Sequence, residues 1–165
     1  MAIKTSKDKT RLILVLHPEL KDKIKNLRIN PDGSVDADEV NFQNLGLEKI
    51  PFKFRKVDGY FDCRDNNLTS LQGAPQKVGG GFDCGYNSLT SLRGAPQKVG
   101  GDFDCRGNSL TSLRGAPQKV GGYFDCGYNS LTSLQGAPQE VGEVFYCGNN
   151  PKLPQSEIDK VQKWQ

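Results

Sequence analysis

The sequence predicts a solenoid in which one short unit of 21 residues repeats along the chain. The pattern F-D-C-x-x-N-x-L-T-S-L-x-G-A-P-Q-x-V-G-G-x begins at Phe61, Phe82, Phe103 and Phe124. The cysteines recur at the same interval, as Cys63, Cys84, Cys105, Cys126 and Cys147. A degenerate copy precedes these units in the same register, with Val40, Phe42, Leu47, Ile50 and Val57 in the apolar positions. A truncated copy follows, so residues 40–153 form about six stacked units, here called rungs.

Residues 1–39 are predicted to cap the first rung, because a solenoid exposes its terminal core unless something covers it. A short helix is expected from Pro18 to Leu27, since proline is favoured at the first helical position. The run 12–16 fits either a strand or an extension of that helix. The turn residues 31–33 predict a hairpin between Ile29 and Val35.

Within a rung, Phe61-Asp62-Cys63-Arg64 alternates apolar and polar side chains, which predicts a short strand with one buried face. Asn66 follows where the chain must turn, and its amide can satisfy backbone groups inside the coil. Leucine, alanine and valine further along the rung point back into the same core, as Leu68, Leu71, Ala74 and Val78. A 21-residue rung leaves no space for a full helix. The convex side is therefore expected to be extended or built from short 3₁₀ turns.

Residues 154–165 are predicted to form a C-terminal capping helix from about Ser156 to Trp164, with Glu157 in its first turn. Ile158, Val161 and Trp164 would cover the last rung. Capping segments and rungs together make one structural domain.

The residues at the repeated positions resemble those of a known family. Phe61 to Leu68, F-D-C-R-D-N-N-L, is similar to the core L-x-L-x-x-N-x-L of leucine-rich repeats, with Phe and Cys replacing two leucines. The resemblance spans residues 40–153 and implies short parallel strands on a concave face. The repeat length resembles the short class found in secreted bacterial effectors. Val78 departs from that pattern, because it lies four residues before Phe82 where the family places an apolar residue three before. The S-L-x-G-A-P and V-G-G segments also resemble uncharacterised repeat proteins of tailed bacteriophages and some bacteria.

Charge and hydropathy patterns exclude several function classes. The formal net charge is +3, and no block is basic enough to predict binding to nucleic acid. The apolar run 12–16 is shorter than a signal-peptide core and far shorter than a membrane span. A cytoplasmic protein without membrane association is expected, in the host cytoplasm if a phage encodes it.

The cysteine column is predicted to be chemically inert. Its odd count, inward direction and expected reducing compartment disfavour disulfides. A 21-residue ladder with one histidine in the protein, His17, offers no converging metal ligands. Buried small apolar side chains are the expected role, with no disulfide, metal or cofactor.

The aspartate column between Phe and Cys is predicted to point outward. Carboxylates stacked about 4.8 Å apart repel one another, so the column is interpreted as functional and not as stabilising. Arginine follows only in alternate rungs, which leaves charge for a basic partner or a cation to neutralise. The alternative is that an acidic row keeps the exposed sheet face soluble. On the opposite side, lysines 77, 98 and 119 predict a solvated convex face.

All five tyrosines lie in or beside the strands, and tyrosine and arginine are the residue types that dominate interface hot spots. The sequence therefore predicts a partner-binding concave face made of Tyr60, Asp62, Arg64, Asp83, Tyr86, Asp104, Arg106, Tyr123, Asp125, Tyr128 and Tyr146.

Catalytic motifs are not recognised, so no enzyme is predicted. The leading hypothesis is a protein-protein interaction module, a monomer with one protein partner. The alternatives are a structural or self-assembling repeat protein and a calcium-binding acidic ladder.

Overall fold

The computed structural model of the protein describes residues 5–161, which form a parallel-strand β-solenoid of about five turns with small helical elements at both ends. In chain order the elements are α1 (Ser6–Leu16), a 3₁₀ helix (Pro18–Lys23), β1 (Ile24–Lys25), β2 (Arg28–Ile29), β3 (Val35–Ala37), β4 (Glu39–Asn41), β5 (Phe54–Val57), β6 (Phe61–Asp62), β7 (Lys77–Val78), β8 (Phe82–Asp83), β9 (Lys98–Val99), β10 (Phe103–Asp104), β11 (Lys119–Val120), β12 (Phe124–Asp125), β13 (Glu140–Val141), β14 (Phe145–Tyr146) and α2 (Gln155–Val161).

Two sheets run the length of the coil. The first sheet has the order β1-β4-β6-β8-β10-β12-β14, and the second has the order β13-β11-β9-β7-β5-β3-β2. In the repeats each residue pairs with its counterpart one rung away, as Phe82 does with Phe103 and Asp83 with Asp104. Residues at one position of the repeat therefore form a straight column, which confirms the repeat and the solenoid that the sequence predicts.

The core is a stack of identical side chains. Phe61, Phe82, Phe103, Phe124 and Phe145 lie face to face, with ring centroids 5.3, 5.5, 5.2 and 5.0 Å apart along the column. The cysteine and leucine columns pack beside them in one continuous cluster. Each rung buries its apolar face only against its neighbours, which is why the fold requires several rungs.

An asparagine ladder holds the turn after each strand of the first sheet. We number the four full repeats that begin at Phe61, Phe82, Phe103 and Phe124 as rungs 1 to 4. In rung 4, the Asn129 Oδ1 accepts the Leu110 N–H at 3.0 Å, and its Nδ2 donates to the Cys105 and Cys126 carbonyls at 3.1 and 3.2 Å. Equivalent bonds form at Asn66, Asn87, Asn108 and Asn150. The ladder confirms the role predicted for Asn66.

The side opposite the first sheet is extended, one of the two predicted forms, and its Lys-Val dipeptides pair as a second parallel sheet. The valines are buried, whereas Lys77, Lys98 and Lys119 are exposed as predicted. After each valine the backbones come very close. A Cβ on Gly100 would lie 2.0 Å from the Gly79 carbonyl oxygen, so only glycine fits there.

The N-terminal segment contains the predicted hairpin, but the helix predicted from Pro18 to Leu27 is a 3₁₀ helix that ends at Lys23 and is followed by the strand β1. The run 12–16 belongs to α1, a helix separate from the 3₁₀ helix that begins at Pro18. Thr5 and Asp8 close the start of α1 as a capping box. β2 and β3 pair antiparallel around the predicted turn, and β3 then joins the solenoid parallel to β5.

The C-terminal helix is present as α2. Val161 is buried and Ile158 is half-buried, as the predicted apolar face requires, and Trp164 lies outside the described residues. The Glu157 carboxylate accepts the Leu134 N–H at 2.8 Å, which satisfies a backbone group at the end of the coil.

Candidate binding face

The predicted binding residues lie on one surface, formed by the outward side chains of the first sheet and of the turn after each strand. We call it the front face; it consists of residues 60–65, 81–86, 102–107, 123–128 and 144–149. Its middle column is the aspartate column, which ends in Tyr146.

The prediction of an exposed acidic row is wrong, because the aspartates are covered by their neighbours. Asp62, Asp83 and Asp104 are 6%, 3% and 1% exposed, and Asp125 is half-buried. Each has a local structural role: Asp83 Oδ1 accepts the Gly85 N–H at 2.9 Å, and the other three accept the N–H two residues on in the same way. The carboxylates thus close the turn that leads to the asparagine ladder.

The two arginines pair with more aspartates than the sequence suggested. Arg64 contacts Asp62 at 3.4 Å and Asp83 at 3.2 Å, so it bridges two successive rungs. Arg106 bridges Asp104 and Asp125 at 2.5 and 3.8 Å. All four carboxylates therefore have a cationic neighbour, although two positive charges face four negative ones.

Desolvation dominates the electrostatics of this column. Burial, together with repulsion from the neighbouring Asp104 and Asp62 carboxylates, raises the pKa of Asp83 to about 6, although the Gly85 N–H and Arg64 act to lower it. Burial likewise raises the pKa of Asp62 and of Asp125. Because burial disfavours a charged carboxylate, ionisation of these aspartates at neutral pH destabilises the folded protein.

Two of the five tyrosines are half-buried at the edge of the front face. The Tyr60 ring lies over Gly81, where a Cβ would come within 2.4 Å of the ring. Burial raises the pKa of Tyr60 and of Tyr123, with nearby carboxylates adding to the effect. Both rings therefore lie within electrostatic range of the aspartate column.

Tyr86 and Tyr128 are the most exposed tyrosines, at 52% and 57%. Both have left-handed backbone, with φ of 51° and 52°. Their column shares this conformation in every rung, and elsewhere it contains residues that tolerate it: Asn44, Asp65, Gly107 and Asn149. The Tyr86 ring leans over Gly107, where a Cβ would lie 2.6 Å from its Cδ1.

Tyr146 adds a third exposed ring at the C-terminal end, with 44% of its surface accessible beside the exposed Val144. Its ring lies across Gly127 and Gly148, and its hydroxyl oxygen accepts from the Asn149 Nδ2 at 3.4 Å. The front face therefore presents three exposed tyrosine rings, whereas most carboxylates of the aspartate column are buried.

The sequence interpretation missed the column of Asp65 and Gly107. Its composition was a usable signal, because Asn, Asp and Gly are the residues that adopt positive φ most readily. The two tyrosines in that column are the exceptions that deserve a functional explanation.

The five cysteines are free and buried in one column. Three of the thiols donate to a carbonyl of the next rung, as Cys63 does to Asp83 at 3.3 Å. Burial raises the pKa of the first four thiols well above the ordinary range, and raises the pKa of Cys147 as well.

We expect iodoacetamide at pH 8 to modify Cys147 slowly and the other four cysteines hardly at all, because the thiolate is the nucleophile and burial disfavours it. Cys147 is 8% exposed, whereas the other four are 0% exposed. Mass spectrometry of native protein against protein in urea measures this. Equal rates at all five cysteines in the native protein would contradict the buried ladder.

Comparison of the chain with protein-family models, curated proteins and solved structures finds no match. Among residues 5–161 no helix is long and apolar enough to cross a membrane. In the same described part of the chain, no three His, Cys, Asp or Glu side chains are grouped so that they could hold a metal ion.

Proposed function

We propose that this chain is an interaction module that binds a protein partner through the front face. The observation that carries the proposal is the pair Tyr86 and Tyr128, which are exposed aromatic side chains on left-handed backbone. Tyr146 extends the same aromatic surface. Exposed tyrosines provide apolar area and a hydroxyl at low conformational-entropy cost, as in many protein interfaces.

Backbone strain is the reason to assign these tyrosines a function. A bulky residue in the left-handed region costs about 1 kcal/mol or more, whereas Asn or Gly costs little. Asn149 and Gly107 occupy the equivalent positions in neighbouring rungs, so the fold itself does not require tyrosine there. Residues held against backbone preference and left exposed are typical of binding sites.

The aspartates and arginines act beneath this surface. Asp62, Asp83 and Asp104 are too buried to be primary contacts. We assign Asp83 and Asp125 to positioning the turns that carry Tyr86 and Tyr128, because their carboxylates accept the Gly85 and Gly127 N–H groups. Arg64 and Arg106, with side chains 38% and 37% exposed, keep part of each guanidinium available to a partner.

The test is the double variant Tyr86→Asn and Tyr128→Asn. A tagged protein is used to capture partners from a lysate of the source organism, and quantitative mass spectrometry compares the variants. We expect the double variant to lose the partner and to melt at the same or a higher temperature, because asparagine suits the backbone.

The matched control is Lys77→Ser with Lys98→Ser, which changes two exposed residues of the second sheet. It should retain the partner. A partner that binds the tyrosine variant as well as the original chain would place the site elsewhere.

We also propose that the rung is a short leucine-rich repeat. The support is the asparagine ladder, which binds backbone groups of its own rung and the preceding one, together with the buried Leu68 and Leu71 columns. The second parallel sheet supplies the extended side that a 21-residue rung requires.

A further inference from the structure

The front face has a second, longer period than the rung. Rungs 1 and 3 carry arginine after the cysteine, as Arg64 and Arg106, whereas rungs 2 and 4 carry Gly-Tyr at the same place, ending in Tyr86 and Tyr128. Because the rungs stack in register, the two tyrosines lie two strand spacings apart, about 9.6 Å. A partner lying along the column meets the same aromatic group once every two rungs.

This distance matches a polyproline II helix. That conformation has three residues per turn and rises about 3.1 Å per residue, so equivalent side chains recur every 9.3 Å or so. Side chains on one face of a β-strand recur about every 6.7 Å, which does not match two rungs. An amphipathic α-helix requires an apolar groove for its face. Within the described residues this column has the polar Asp65 before its tyrosines and Asn149 after them, so it is not a continuous apolar groove.

The side chains also fit such a ligand chemically. Polyproline II leaves its backbone carbonyls without internal partners, and a tyrosine hydroxyl can donate to them while the ring packs on proline. One rung before Tyr86 the same column contains Asp65, whose side chain is exposed. It has only a 3.9 Å contact with Arg64 and a bond from Gln43, so it can pair with a basic side chain.

The surrounding charge favours a basic ligand. Asp62, Asp83, Asp104 and Asp125 lie beside the column and outnumber the two arginines that bridge them. An excess of carboxylates under a low-dielectric surface attracts cationic segments and increases their rate of association.

We propose that the column Asp65, Tyr86, Gly107 and Tyr128 is a docking track for an extended proline-rich segment that carries a basic residue. Prolines three residues apart pack on the two tyrosines, the first of them on the Tyr86 ring where it lies over Gly107, and the basic residue pairs with Asp65. This inference rests on the proposed function and names the kind of segment that the partner presents.

The experiment titrates the full chain with fluorescein-labelled peptides and measures anisotropy. The probe peptide contains one arginine and two prolines spaced by three residues; the controls replace both prolines with alanine or the arginine with glutamate. We expect micromolar binding of the probe and a loss of about tenfold or more with either control peptide.

Protein variants locate the binding on the column. Tyr86→Asn with Tyr128→Asn should abolish binding, and Asp65→Asn should weaken it and reduce its dependence on salt. Lys77→Ser with Lys98→Ser should leave the affinity unchanged. Equal affinity for the probe and its alanine control, or binding that survives the double tyrosine variant, would overturn the inference.

The outcomes separate the two proposals. A lysate partner lost with the tyrosines, combined with no binding of the proline peptide, rejects the polyproline track and leaves the interaction module intact. No tyrosine-dependent partner in the lysate rejects the proposed function itself. Tyrosine-dependent binding of a linear oligosaccharide such as cellohexaose, without peptide binding, rejects both.

Discussion

Replacing Asn129 with alanine is expected to lower the free energy of unfolding by about 3 to 5 kcal/mol, the largest single-residue effect outside the phenylalanine stack. Asn129 is 6% exposed, and its amide serves three carbonyls and one N–H from two rungs. Alanine leaves the Leu110 N–H and the Cys105 and Cys126 carbonyls buried without this partner, and the Gly127 carbonyl still accepts the Gly107 N–H. Urea denaturation followed by circular dichroism measures the change.

Two further variants separate hydrogen bonding from packing. Asn129→Asp has nearly the same volume and still accepts the Leu110 N–H, but its carboxylate faces three carbonyl oxygens, so it should destabilise at pH 7 at least as strongly as alanine. Asn67→Ala changes an exposed asparagine one position beyond the ladder in rung 1 and should stay within about 0.5 kcal/mol. Similar stability of Asn129→Ala and Asn67→Ala would show that the ladder is not a major source of stability.

The solenoid could be predicted because the apolar residues, the asparagine and the turn residues all recur at the same interval of 21 residues. Identical residues at a fixed interval can all be buried only if the rungs stack in register, and Phe82 therefore lies between Phe61 and Phe103. The asparagine and cysteine columns follow from the same rule. Val35 lies outside the repeat, so its position in a hairpin could be predicted only from the turn residues that precede it.

The burial of the aspartates could not be predicted from alternation along the strand. Alternation tells which face of the sheet Asp104 occupies, but its accessibility depends on Arg106 and on the residues of adjacent rungs that cover it. The strands are also only two residues long, so the carboxylate reaches the backbone of the following turn. Side-chain reach across rungs is a three-dimensional property that a single repeat does not reveal.

The distinction between the tyrosines has a similar origin. All five lie near the strands, but Tyr60 and Tyr123 immediately precede the strand phenylalanine, whereas Tyr86 and Tyr128 lie four residues after it on left-handed backbone. The side chains on left-handed backbone are more than half exposed, whereas Tyr60 and Tyr123 are half-buried. The candidate site is therefore narrower than the surface that the sequence predicted.

Replacing Asp83 with asparagine is expected to stabilise the protein at pH 7.5 and to have little effect at pH 4. Asparagine retains an oxygen that can accept the Gly85 N–H, and it removes a charge that burial disfavours. The folded-state pKa of Asp83 is raised from 3.8 to about 6. The stability linked to its protonation is therefore fully present below pH 3.8 and is lost as the pH rises through about 6.

The full difference between these two pKa values corresponds to about 3 kcal/mol, an upper bound because the lost Arg64 contact offsets part of the gain. Melting temperatures of the original chain and of Asp83→Asn, measured from pH 4 to pH 8, give the comparison. The variant should melt higher above pH 6, and the two curves should converge as the pH falls.

Asp65→Asn is the matched control, since the Asp65 side chain is exposed and does not close a turn with its own carboxylate. It should change the melting temperature little across the same range. A variant Asp83→Asn that melts lower than the original chain at pH 7.5 would mean that the Arg64 ion pair outweighs desolvation. The aspartate column would then stabilise the fold by charge pairing. Ion pairs, and not neutral hydrogen bonds, would hold the turns that carry Tyr86 and Tyr128.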